Sequence, residues 1–134
     1  MRRLLESLEA TYEVQSQGAG FSVKARVAGG LIGTLYVEVP KHLTPECRAD
    51  LKALSRQVGR KLDPMFVGWV NVHSADQRVG IGTRMYQVAV KELARRGQAL
   101  VQATCAGKTM TPAAGKIWTK LKRQHPSQGD VIAP

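Results

Sequence analysis

Six consecutive residues, Gln77-Arg78-Val79-Gly80-Ile81-Gly82, stand between an apolar run and an amphipathic one, and their spacing is that of an anion cradle. In the first turn of a helix the backbone N–H groups lack intrahelical partners, and the helix dipole adds partial positive charge. Glycine at 80 and 82 removes the Cβ atoms that would hold a phosphate away from those amides and permits φ angles other residues resist. Thr83 adds a hydroxyl donor. A diphosphate fits such a corner. Two other nucleotide loops fail on their letters. A dinucleotide fingerprint starting at Gly80 needs glycine at 85, where Met85 stands; Ala106-Gly107-Lys108-Thr109 imitates the end of a Walker A loop, but Gln102 occupies its first glycine.

The cradle needs a strand before it and a helix after it, and the pattern supplies both. Met65 to Val72 is apolar almost without interruption, as in a central strand covered on both faces. Ile81, Met85, Ala89 and Leu93 recur at helical spacing, with Gly97 placed to end the helix in the left-handed conformation. Upstream, Phe21 to Val27 alternates apolar with polar, Gly29-Gly30 turns the chain, and Leu31 to Val39 completes a hairpin before Pro40. A short helix is expected at Arg3 to Ala10. Thr44-Pro45 starts a second one, with the stripe Cys47, Leu51, Leu54, Val58 and Leu62. Ala99 to Ala103 reads as a strand, and Thr111-Pro112 starts a last helix that buries Ala114, Ile117, Trp118 and Leu121. The tail from Pro126 to Pro134 reads as irregular. The expected fold is a single α/β (α+β) domain over 1–134, a mixed sheet with helices packed on it.

The 134 residues carry 20 Lys and Arg against 10 Asp and Glu, a net charge of +10 that attracts anions at long range without naming one. Nucleic acid, an acidic protein and phosphates all qualify, although 5% aromatic content offers few platforms for single strands. No stretch reaches the ~20 apolar residues that span a bilayer, and the start lacks a signal peptide's apolar centre, so a cytoplasmic protein with no membrane partner is expected. Cys47 and Cys105 show neither a disulfide framework nor metal spacing and read as small buried residues in a reducing compartment; no metal is expected.

The segment Val70-Asn71-Val72-His73-Ser74-Ala75-Asp76-Gln77-Arg78-Val79-Gly80-Ile81-Gly82 resembles the acetyl-CoA motif of the GNAT superfamily of N-acetyltransferases, in which Q or R, two residues, G, one residue, then G or A follows an apolar-x-V strand. A second region, Thr111 to Trp118, is similar to that family's Asn-x-x-Ala-x-x-Leu-Tyr helix, with Thr111 in place of the Asn that contacts the cofactor arm and Trp118 in place of a Tyr that protonates the departing thiolate. The resemblance covers about Phe21 to Leu121. It implies a GNAT-like sheet shortened at the C-terminus, because only Asp130 to Ala133 offers part of the family's two closing strands; either the fold is trimmed or a partner chain, such as a second copy in a homodimer, completes it. The compact length also resembles small acetyltransferase-like proteins encoded by bacteriophages.

The resemblance implies acetyl-CoA bound by Val70, Asn71, Val72, Gln77, Arg78, Val79, Gly80, Ile81, Gly82, Thr83 and Thr111, with an amine attacking directly in a ternary complex. The amine belongs to a protein, a small molecule or a modified nucleotide. A protonated amine needs a base, and Met65 to Val72 contains no acid. His73 and Glu38 are the candidates by position; each also has an ordinary reading, as a surface loop histidine and as an acid paired with a basic residue. Tyr36 and Tyr86 have protons to give but read as packing residues, and Trp69 and Trp118 read as core. The alternative is a GNAT-like binding module whose basic surface docks on nucleic acid or an acidic protein.

Overall fold

In a computed structural model, the structure describes residues 10–73 and 80–134. The helix expected at Arg3 to Ala10 lies almost wholly outside the described residues, and so do Gln77, Arg78 and Val79. In chain order the elements are β1 (Thr11–Gln17), β2 (Gly20–Val27), β3 (Gly30–Glu38), α1 (Pro45–Val58), β4 (Asp63–Val72), α2 (Ile81–Arg96), β5 (Gln98–Val101), a 3-10 turn (Ala103–Ala106), α3 (Pro112–Gln124), β6 (Ser127–Gln128) and β7 (Val131–Ile132). The strands form one sheet in the order β1-β2-β3-β4-β5-β7-β6. Strands β1 to β4 are an antiparallel run, β4 and β5 are parallel, and β7 returns antiparallel to β5. This is the mixed α/β sheet with packed helices that the sequence implies.

Alternation in β2 and β3 decides which face each side chain meets. Phe21, Val23, Ala25, Leu35 and Val37 point into one core with Met85, Ala89 and Leu93 of α2 and with Trp118 and Leu121 of α3. Each fully buried Leu or Met there contributes roughly 1.5–3 kcal/mol. On the opposite face a smaller core joins Leu54 of α1 to Leu62, Phe66, Val101 and Val131. Thr44 and Thr111 cap α1 and α3 as their types demand, accepting from the N–H groups of Cys47 and Ala114 at 3.3 and 3.1 Å. Gly59 and Gly97 end α1 and α2 in the left-handed conformation.

Four details differ from the sequence reading. Strand β1 is an edge strand that buries almost nothing, so its residues show no apolar alternation. The β2–β3 turn is Ala28-Gly29, both at positive φ, and Gly30 already pairs with Val27. The tail is not irregular: β6 and β7 form a hairpin of two residues per strand, and Val131, Ile132 and Ala133 are buried. Both closing strands are therefore present in this chain, in minimal form. Finally, Cys47 and Cys105 are not free thiols but are joined in a disulfide, Cα atoms 5.8 Å apart, that ties α1 to the 3-10 turn.

Candidate functional site

The parallel ladder between β4 and β5 is four residues long, from Asp63–Gln98 to Phe66–Val101. Beyond it β4 runs on to Val72 along β3, while β5 has ended. At the point of parting the β3–β4 register slips: Val37 pairs with Val67 and Tyr36 with Trp69, leaving Gly68 as the extra residue of a bulge. Bulges bend a strand and re-aim its side chains, and they gather beside active sites. Here the bend opens a cleft of about 190 Å³ between Val67 to Val70 on one wall and Val101 and Ala103 on the other. Tyr86 from α2 and Thr111, Ala114 and Trp118 from α3 close its far side. Pockets that enclose a whole drug-sized ligand run to ~300–1,000 Å³. At about 190 Å³ this one has room for only part of such a ligand.

Helix α2 begins against the end of β4. Gly80 is its N-cap at φ +75°, a conformation that suits glycine, and Arg84 N–H makes the first intrahelical bond to the Gly80 carbonyl at 3.0 Å. The amides of Ile81, Gly82 and Thr83 precede that bond and are the ones a helix start offers to an anion. Around Gly82 there is room: a Cβ there would meet only Val72 Cγ2 at 3.9 Å and Ile117 Cδ1 at 4.0 Å. Ile81 itself is buried in the core.

Of the other residues singled out in the sequence, Val70 and Thr111 line the cleft. Asn71 is exposed and pairs with Thr34. Glu38 is next to a cleft residue: its carboxylate lies over Gly68, in the space where a side chain on that residue would stand. His73 is exposed beyond the end of β4, held by its peptide N–H to the Ile32 carbonyl at 2.8 Å, and is not among the residues lining the cleft. Neither candidate base lines the cleft itself; Glu38 lies against Gly68, which does, and His73 stands beyond the end of β4.

Three cleft residues were not assigned to a site from sequence. Tyr86 is 4% exposed, and burial pushes its phenol up to about 12, so it keeps its proton throughout the neutral range. Trp118 is buried as expected, yet its indole Nε1–H has no acceptor among the described residues. Trp69 was expected in the core and is instead 51% exposed at the cleft mouth, its ring centroid 5.3 Å from that of Tyr36. The isolated glycine in an otherwise apolar strand, Gly68, was the available signal for the bulge next to Trp69.

Away from the cleft, Arg48, Lys52 and Arg56 repeat every four residues on the outer face of α1 and, with Arg60 and Lys61, rim a groove of about 540 Å³ floored by Leu51, Ser55 and Leu62. Among the described residues no acidic one lines it. The nearest thing to a metal-ligand grouping among the described residues is Cys47, Cys105 and Asp130, and there the two sulfurs are bonded to each other.

No protein-family model matches the sequence, and no curated protein is similar to it. Among solved structures the chain is similar to a ribosomal-protein-alanine N-acetyltransferase from Brucella melitensis biovar Abortus 2308, at 17% identity and a TM-score of 0.48, over 84% of this chain and 67% of that one. At that distance the likeness carries no chemistry, which rests on the residues alone. No helix among the described residues is long and apolar enough to cross a membrane.

Proposed function

We propose that this chain is an N-acyltransferase of the GNAT kind, which takes an acetyl group from acetyl-CoA and passes it to an amine. The observation that carries the reading is the parting of β4 from β5 near the Gly68 bulge, on the strand whose far end meets the start of α2. The strand gap offers peptide groups to an amide-bearing arm, and the helix start offers N–H donors to a diphosphate. Coenzyme A has both parts, and its thioester supplies an acyl group activated for attack by nitrogen.

The chain's own residues divide the remaining work. A peptide N–H of β4 near Val70 polarises the acyl oxygen. Glu38, lying over Gly68 beside the cleft, takes a proton from an incoming ammonium, directly or through one water, which frees the lone pair that attacks. Tyr86, kept protonated by burial, is the proton donor for a departing thiolate, a role that falls to it because the indole of Trp118 donates a hydrogen bond without giving up its proton. The reading carries an expectation of a cytoplasmic protein, against which the Cys47–Cys105 bond weighs.

Calorimetric titration with acetyl-CoA tests the proposal. Native protein should bind, and Gly80→Glu, which puts a carboxylate where the diphosphate belongs and strains a left-handed residue, should bind at least ~100-fold more weakly, or ~2.7 kcal/mol. Native protein that takes up no acetyl-CoA at millimolar concentration ends the reading.

A second reading, a module that docks on nucleic acid, is favoured by the basic groove of α1. Affinity for duplex DNA should then fall steeply with salt, with a slope near −0.9 per phosphate contacted, and Lys52→Glu with Arg56→Glu should flatten it by about two of those steps.

A further inference from the structure

The bare part of the sheet is the place to ask what the acceptor is. Glu38 and Tyr36 are two residues apart on β3 and share a face; Trp69 is Tyr36's partner across the ladder. That face is the one α1 packs on, but its core with Leu54, Leu62 and Phe66 stops short of the aromatic pair. The chain has 7 aromatic residues, and it leaves the larger part of one indole in water at the mouth of its cleft. Beside it stands a carboxylate for which no ion pair occurs among the described residues, in a protein whose basic groups outnumber its acids two to one.

A half-exposed ring face that lines the cleft and a carboxylate over the neighbouring Gly68, without an ion pair among the described residues, suit a cation on an aliphatic stem. The stem lies on the indole, and the charge meets the ring quadrupole and the carboxylate together. We propose that Tyr36, Glu38 and Trp69 form the acceptor subsite, and that it takes a primary alkyl-ammonium group, of the kind carried by a lysine side chain or a polyamine. Calling it the acceptor's site rests on the acyltransferase reading; the site for a cation does not. A nucleobase amine would stack on Trp69 equally well, but it is neutral and draws nothing from Glu38, and any phosphate attached to it is repelled there.

The test follows the indole N–H signal of Trp69 by two-dimensional NMR at pH 7, assigned with Trp69→Phe, while n-butylammonium chloride is added to the whole chain at constant ionic strength. The signal should move to saturation, n-butanol and cytidine should leave it in place, and Glu38→Gln and Tyr36→Leu should each weaken butylammonium by about fivefold, the size of a partly exposed cation contact. No saturable movement, an equal response to butanol or cytidine, or unchanged affinity in Glu38→Gln overturns the subsite. Adding acetyl-CoA to the same samples, read on the amides of Gly82 and Thr83, separates the two claims. Amide shifts without a Trp69 response sink the subsite and spare the cofactor reading; a Trp69 response without amide shifts sinks its role as acceptor site and the cofactor reading with it.

Discussion

In the proposed site, contact with a ligand where α2 begins falls to peptide groups and glycines, and over β3 and β4 it falls to three side chains, Tyr36, Glu38 and Trp69. The first wall is specified by backbone conformation, so it leaves a spacing signature in the sequence. The second is assembled across two strands 31 to 33 positions apart in sequence, by a bulge, and no local pattern records it. A site made of main chain survives changes of side chain, provided glycine stays where φ is positive. A site made of side chains can be lost or retuned one substitution at a time without disturbing the other.

The largest test of this contrast acts on what holds the walls in place. The Cys47–Cys105 bond closes a loop of 58 residues and anchors the turn that contains Ala103, on the β5 wall. Reduction, or Cys47→Ser with Cys105→Ser, should cost ~4 kcal/mol of stability by loop entropy, measured as a drop in the urea midpoint. Next, Gly68→Ala puts a methyl group into the space held by the Glu38 carboxylate. The rate of acetyl transfer should fall about tenfold, the lower range of a displaced general base, while acetyl-CoA affinity stays within twofold by calorimetry. Equal losses in both would show that the two walls are one.

Two smaller effects sharpen the picture. Glu92 is held to about 2 by hydrogen bonds from Arg95 and Arg96, and Arg96 also bonds Ser16 Oγ at 3.0 Å and lies over the Phe21 ring, fastening the edge of the sheet to α2. Its folded-state value is below its unfolded one, so its stabilisation is present above pH ~4.5 and is lost as pH falls towards 2. Glu92→Gln should therefore destabilise by ~1 kcal/mol in urea melts at pH 7, discounted for the exposure of Arg95, and by much less at pH 2. Last, the two glycines at the helix start should part company. Gly80→Ala loses ~1 kcal/mol to its left-handed φ, whereas Gly82→Ala meets only ordinary contacts and gains a few tenths from helix propensity. Thermal melts of the pair decide it.

The helices were legible because each buries one stripe and carries a Thr-Pro start or a glycine end, signals that arise within a single turn. Strand β2 was legible because one-sided burial imposes a period, β3 from its apolar run up to Pro40, and β4 from a run almost without polar interruption. Where burial is missing the period goes too, which is why β1 was unread. Strand β6 was unread, and β7 was expected only as part of a strand at Asp130 to Ala133, for another reason: two residues are too few to show any period. The disulfide was invisible because its partners share no element and no spacing rule. Trp69 misled for an instructive reason. An unbroken apolar run says that a strand is central, and β4 is; it does not say that helices cover its whole length, and the uncovered half is where the tryptophan stands.

The four-residue ladder between β4 and β5 also has a mechanical side. It is the seam between a meander of four strands and a small flap made of β5, β7 and β6, and the cleft is that seam left partly unstitched. A long thin molecule lying along it would act as thread, binding the flap to the meander. Amide exchange in β5 and β7 should then slow on loading while the turn between β1 and β2, far from the seam, keeps its own pace.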